Sequence, residues 1–217
     1  MGFNLIRFAL DPHYRAVKRW KLAKGDDRLL TDVPLDGSSL VVDAGFYKGD
    51  FSARISQKGS PTVLAFEPAP EFCERARPLL AAMPNVTLDC AGLSDFNGTA
   101  KLVYDNDGSS TQRQQQGESV EVQLRRASDI VRAAGRPVDL MKLNIEGDEY
   151  PVLENLIAEG LMGEVRHLVV QFHLIDQTSR QRYERIAEGL SKTHDLAWRY
   201  PFVWERWDLR DSVSPSR

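Results

Sequence analysis

Cysteine is scarce in this chain of 217 residues: Cys73 and Cys90 are the only two, and they stand in no Cys-x-x-Cys or other metal-ligand spacing. The sequence therefore indicates neither a disulfide framework nor a zinc site, and the pair reads as buried thiols in a reducing cytoplasm. Histidine is equally thin, four residues scattered along the chain, so no metal is expected. Asp105-Asn106-Asp107-Gly108 places its glycine too early for a calcium loop. No stretch approaches the roughly 20 apolar residues that a membrane span requires. The segment Met1 to Leu10 is broken by Arg7 and followed by Asp11-Pro12, without a small-residue cleavage signature, and does not read as a signal peptide. Gly2 is not a myristoylation signal, because Ile6 stands where Ser or Thr is required. A large excess of either charge is lacking too, with 28 Lys and Arg against 31 Asp and Glu. A net charge of -3 gives the chain as a whole no pull toward nucleic acid or an anionic membrane.

What is present is ordinary for a globular protein, 42% hydrophobic and 27% charged, enough for one substantial domain. We divide the chain into an N-terminal helical cap (1–36), a main domain (37–210) and a frayed tail (211–217). From Tyr14 to Lys24 the pattern is a basic amphipathic helix, whose charged face reads as solvated surface. After the Asp36-Gly37-Ser38 turn, apolar strands recur at Leu40–Asp43, Val63–Phe66, Val86–Leu88, Leu140–Ile145 and His167–Phe172. Helices lie between them: Phe51–Gln57 before Gly59, one starting at Pro70, and Asp148–Glu159 before Gly160. Strands alternating with helices imply a mostly parallel sheet with helices on both faces. Ala100–Tyr104 and Val120–Leu124 read as further strands and Ala127–Ala134 as a short helix, with a polar loop over 105–119 that acts as a lid or is plain surface disorder. Trp198, Tyr200, Phe202, Trp204 and Trp207 suggest a closing antiparallel hairpin that turns near Pro201.

The densest signal is Leu40-Val41-Val42-Asp43-Ala44-Gly45-Phe46-Tyr47-Lys48-Gly49, with Glu67-Pro68 ending the next strand. A strand running into a glycine turn and a helix N-terminus, followed by a carboxylate on the second strand, is the logic of a nucleoside-cofactor site. Glu67 is placed to accept both hydroxyls of a ribose. The spacing is G-x-x-x-G rather than the G-x-G-x-x-G that a pyrophosphate needs, and the Gly-Lys-Ser/Thr of a P-loop is absent. S-adenosylmethionine has no pyrophosphate and carries an ammonium and a sulfonium, to which Asp43 offers a carboxylate.

Three blocks carry a family resemblance: Val42-Asp43-Ala44-Gly45 through Gly49-Asp50-Phe51-Ser52, then Ala65-Phe66-Glu67-Pro68, then Met141-Lys142-Leu143-Asn144-Ile145-Glu146-Gly147 with Glu149 and Val152-Leu153. Ala91-Gly92-Leu93-Ser94-Asp95 and Gly98 add a smaller match. In that order the blocks resemble the FkbM-type members of the class I S-adenosylmethionine-dependent methyltransferases, from about Leu40 to His173. The resemblance implies a Rossmann-like α/β sandwich and O-methylation of a hydroxyl on a sugar, polyketide or similar small molecule. It implies a methionine end lined by Asp43 and Gly45, a ribose held by Glu67 and an adenine near Gly92, Leu93 and Ser94, with Ala44, Phe46, Tyr47, Gly49, Pro68 and Asn144 as further cofactor-binding positions.

Departures from the family pattern bear on chemistry. Gly45-Phe46-Tyr47 stands where Gly-Ala-Asn is usual, Asn144 where an aspartate is usual, and Gln171 where a glutamate often occurs. Asn144 can hydrogen-bond to a cofactor or acceptor but cannot take up a proton. Read as one strand, Lys142, Asn144 and Glu146 share a face that opens on the crevice or is tied by a Lys142–Glu146 pair. Gln171 and His173 share a face of the last parallel strand, which makes His173 the candidate general base or a structural histidine. The expectation is a cytoplasmic enzyme, with homodimerisation open. A cofactor-binding protein without turnover and a nicotinamide-dependent Rossmann enzyme are the alternatives.

Overall fold

A computed structural model describes residues 5–105, 108–110 and 119–213. In chain order its elements are α1 (Leu5–Leu10), α2 (Pro12–Leu22), α3 (Gly25–Arg28), β1 (Leu40–Ala44), α4 (Asp50–Gln57), β2 (Thr62–Phe66), α5 (Pro70–Leu80), β3 (Val86–Asp89), β4 (Ala91–Ser94), β5 (Gly98–Asp105), β6 (Gly108–Ser110), β7 (Ser119–Arg126), α6 (Ala127–Ala134), β8 (Val138–Leu143), α7 (Glu149–Ala158), β9 (Val165–Val170), α8 (Ser179–Leu190), β10 (His194–Tyr200) and β11 (Trp204–Leu209).

Seven strands form the main sheet in the order β10-β11-β9-β8-β1-β2-β3. β3, β2, β1, β8 and β9 are parallel, and β11 joins antiparallel to β9 to close the sheet with the β10–β11 hairpin. Alternation along each strand sorts the apolar side chains onto two faces. One face, with Val42, Ala44, Met141, Leu143, Leu168 and Val170, packs under α6, α7 and α8 around Leu153, Leu156, Ile186 and Leu190. The other, with Val41, Val63, Ala65, Leu140 and Val169, is covered by α2, α4 and α5 through Trp20, Ile55 and Ala76. Helices therefore cover both faces, as the element pattern implies. The aromatic tail is mostly core: Trp20 stacks among Trp198, Tyr200 and Trp204 at centroid distances of 5.2 to 6.2 Å. This fixes the N-terminal helices onto the sheet.

A second sheet, β4-β7-β5-β6, was not legible as a sheet from sequence. β4 is Ala-Gly-Leu-Ser and β6 Gly-Ser-Ser, neither with the β-branched or alternating content that marks a strand; both form because β7 and β5 offer partners. The expected loop over 105–119 is thus interrupted by β6, and its remaining residues, 106–107 and 111–118, lie outside the described ones, as does the end of the proposed tail, 214–217. α8 has no counterpart among the expected helices, although Tyr183, Ile186, Ala187 and Leu190 have helical spacing.

The expected free thiols are corrected: Cys73 and Cys90 are joined in a disulfide. Cys73 sits in the first turn of α5, which follows β2, and Cys90 one residue beyond β3. Because β3 is the parallel neighbour of β2, both ends emerge together and the Cα atoms come within 6.0 Å.

Candidate functional site

The parallel strands β1, β2, β8 and β9 end at one edge of the sheet, where open α/β sheets form their ligand crevice. At the end of β1 the chain turns through Gly45 (φ +86°). A β-carbon there would lie 2.1 Å from the Asn144 carbonyl oxygen, so the glycine is required for the β1 turn to pass over the end of β8, as well as for its positive φ. Phe46 is core, its ring 2.7 Å from a β-carbon placed on Gly49, and Ala44 is buried on the opposite sheet face. Tyr47 is a non-glycine residue in the left-handed region (φ +52°). Asn tolerates that conformation better than tyrosine does. The Tyr47 ring is half-exposed and meets Phe72 edge to face at 4.6 Å.

Asp43 and Lys142 are register partners on neighbouring strands, their side chains on the same buried face. Lys142 Nζ donates to Asp43 Oδ1 (2.9 Å), to the Ala44 carbonyl (3.1 Å) and to the Gly45 carbonyl (2.7 Å). All three ammonium protons therefore have acceptors. Ser52, on α4, donates its hydroxyl to Asp43 Oδ2 at 2.7 Å. Asp43 is thus turned inward, and with Lys142 it ties β1, β8, α4 and the glycine turn into one unit. The Lys142–Glu146 pair that the sequence leaves as one alternative is not formed; Lys142 is held by Asp43. β8 stops at Leu143, so Asn144 and Glu146 lie on the loop beyond it, with Glu146 at φ +50°.

Asn144 Oδ1 is buried and has no hydrogen-bond partner among the described residues. An orphaned acceptor beside the glycine turn fits a cationic N–H donor from a ligand. Glu67 ends β2 and is itself buried: Oε2 accepts the Tyr47 N–H at 2.8 Å and Oε1 the Ala69 N–H at 3.0 Å. Burial raises its pKa against the lowering by those two donors. Each oxygen retains acceptor capacity, as bidentate recognition of a diol needs. Pro68 contacts the Gly92 position, where a β-carbon would be 3.5 Å from its own; Leu93 and Ser94 are buried in β4. The crevice end thus gathers Gly45, Tyr47, Glu67, Pro68, Gly92 and Asn144.

β9 ends at Val170, so Gln171 and His173 occupy the following loop and not a strand. His173 is held from both sides. Glu149 Oε1 lies 3.1 Å from Nδ1 and accepts the His173 backbone N–H at 2.7 Å, and Glu146 Oε1 lies 3.4 Å from Nε2. Glu149 is fully buried and its other oxygen accepts the Gly147 N–H at 2.8 Å. Tyr150 donates its hydroxyl to the His173 carbonyl at 2.9 Å. Burial works to lower the His173 pKa, but the hydrogen bonds and charges of Glu146 and Glu149 overcome it and push it up to about 9. At neutral pH this histidine is an imidazolium between two carboxylates. Glu149 was not singled out from sequence as a site residue, because its partner lies 24 positions away and only the β8–β9 pairing brings the two loops together. Among the described residues no cluster of His, Cys, Asp and Glu could hold a metal ion, and no helix is long and apolar enough to cross a membrane.

The fold is shared with solved methyltransferase structures of low sequence identity. A provisionally assigned rRNA methylase from Clostridium thermocellum superposes with a TM-score of 0.55 at 12% identity, covering 89% of this chain and 97% of that one. A provisionally assigned methyltransferase from Streptococcus mutans, solved with SAH, gives 0.54 at 10% identity over 87% and 97%. An rRNA methylase from Streptococcus thermophilus gives 0.53 at 13% identity over 85% and 93%. No curated protein matches the chain. The family model described as the methyltransferase FkbM domain matches residues 43–194, from the aspartate of β1 to the start of β10. On that match the chain belongs to the FkbM methyltransferase domain family, with the Rossmann-like fold of class I methyltransferases.

Proposed function

We propose that this chain is an S-adenosylmethionine-dependent O-methyltransferase acting on a hydroxyl group of a small polar molecule. The observation that carries the reading is the set of groups at the ends of the parallel strands: the buried Glu67 carboxyl, with acceptor capacity left on both oxygens, the unpartnered Asn144 Oδ1, and His173 held between Glu146 and Glu149. Glu67 takes the ribose hydroxyls and Asn144 Oδ1 an N–H of the methionine ammonium. When bound, the cofactor supplies an electrophilic methyl group on sulfur.

The residues of the chain then have two tasks. Orientation of the acceptor oxygen is the larger one, since intramolecular alignment is worth up to about 7 to 11 kcal/mol. The second is the hydroxyl proton. His173 is protonated at neutral pH and cannot accept it, so the carboxylate of Glu146 is the receiving group, with His173 orienting that carboxylate and Glu149 fixing the imidazole. Replacement of the family's usual aspartate by Asn144 is compatible with this, because the proton has another destination.

Calorimetric titration with S-adenosylmethionine and S-adenosylhomocysteine tests the cofactor half: binding of both, weakened more than about tenfold by Glu67→Ala and by Asn144→Ala, is the expected result. Conversion to S-adenosylhomocysteine over a panel of sugars, polyols and phenolic metabolites tests the other half. No binding by folded protein overturns the proposal. Binding without turnover on any acceptor turns it into the cofactor-binding, non-catalytic alternative.

A further inference from the structure

The first 24 residues carry a charge that the rest of the chain does not. Arg7, Arg15, Lys18, Arg19, Lys21 and Lys24 stand there against Asp11 alone, a net of +5 on a chain whose total is -3, so residues 25–217 carry -8. α1 and α2 form one unit. Arg15 donates to the carbonyls of Phe8 (3.2 Å) and Ala9 (3.1 Å), and the Tyr14 ring has Arg7 and Lys18 over it at 4.9 and 5.2 Å. α2 turns Tyr14, Ala16 and Trp20 inward. At 3.6 residues per turn its opposite face carries Lys18, Arg15 and Arg19, with Leu22 among them. Leu22 is 77% exposed; Ile6 and Leu10, four residues apart on α1, are 74% and 79% exposed. Three branched aliphatic side chains thus stand in water on this basic helix pair, Leu22 within the basic face of α2 and Ile6 and Leu10 one turn apart on α1.

We propose that α1 and α2 dock this protein onto an anionic lipid surface, the aliphatic side chains entering the acyl boundary and the basic ones meeting the headgroups. Charge complementarity and the kind of exposed apolar group both choose lipid over nucleic acid. The aromatic rings of α2 that could stack on bases, Tyr14 and Trp20, are buried, and the exposed apolar groups are aliphatic. The acidic remainder repels a long polyanion, whereas a flat bilayer need touch only the basic patch. Trp20 packs on Trp204, whose neighbour Glu205 pairs with Val170 at the crevice end of β9, so docking through α2 holds that end of the sheet near the interface. The proposal does not depend on the methyl-transfer reading.

The full chain is sedimented with phosphatidylcholine vesicles with and without phosphatidylserine, and titrated in parallel with a fluorescent single-stranded RNA oligonucleotide. Binding to the phosphatidylserine vesicles that weakens with salt, with at least about tenfold less binding to phosphatidylcholine alone or to RNA, is expected. The pairs Leu10→Asp with Leu22→Asp and Arg19→Glu with Lys21→Glu should each weaken vesicle binding by about tenfold or more while melting temperature and cofactor titration stay unchanged. Failure to sediment with phosphatidylserine vesicles overturns the proposal. So do equal binding to both vesicles, preference for RNA, and undiminished binding of either folded variant.

Discussion

Removing the Lys142 ammonium tests the buried lock at the centre of the site. Lys142→Met keeps the length and apolar stem of the side chain and deletes the charge. The carboxylate of Asp43 is then left in a site with no solvent exposure, with Ser52 as its one remaining side-chain donor among the described residues, while the Ala44 and Gly45 carbonyls lose a donor each. Breaking a buried ion pair from one side costs about 3–5 kcal/mol, because the surviving charge stays desolvated. With a urea m-value of about 2 kcal/mol/M, the denaturation midpoint falls by about 1.5–2.5 M. Asp43→Asn strands the lysine and should cost a similar amount. The double variant Asp43→Asn/Lys142→Met removes both charges, so its loss falls short of the sum of the single losses by about 1–3 kcal/mol. Tryptophan fluorescence in urea reads the stability, and titration with S-adenosylmethionine, run on each variant, reads whether the glycine turn still holds its shape. A loss below about 1 kcal/mol for Lys142→Met, or strict additivity in the cycle, refutes the lock.

His173 titrates near 9 in the folded chain against 6.5 ordinarily, so its stabilisation is fully present below about pH 6.5 and lost as pH rises through 9, at most about 3 kcal/mol; denaturant melts across that range should show the decline, and His173→Asn should flatten it. The disulfide closes a loop of 17 residues, and a reductant should lower stability by about 3 kcal/mol, with Cys73→Ser/Cys90→Ser matching the reduced wild type. Gly45→Ala places a methyl 2.1 Å from the Asn144 carbonyl at φ +86°; the expected result is a loss of more than about 2 kcal/mol in urea and of measurable cofactor binding, and a neutral outcome would mean the turn is elsewhere.

Much of the frame was legible because its signals are local. Apolar runs marked the five parallel strands to within two residues or so, Pro70 marked the start of α5, and α6 occupies the residues read for it. The alternating aromatics from Trp198 to Trp207 gave the closing hairpin. Boundaries failed where side-chain alternation outlasts the sheet: Asn144, Glu146, Gln171 and His173 continue the strand pattern in sequence, yet β8 and β9 end at Leu143 and Val170 because their neighbours end there too. Strands β4 and β6 have almost no propensity of their own.

By itself, then, the sequence determined an α/β chain with helices on both faces of a parallel sheet, a glycine turn at the end of β1 and a carboxylate at the end of β2, since periodicity and turn chemistry are properties of neighbouring residues. Tertiary structure alone decided the partners. It gave Lys142 to Asp43 and not to Glu146, bonded Cys73 to Cys90, and set His173 between Glu146 and Glu149. Each of these joins positions 17 to 99 residues apart, or swaps one partner for another at equal plausibility in the sequence, and only the order and register of the strands bring such groups within a few ångströms.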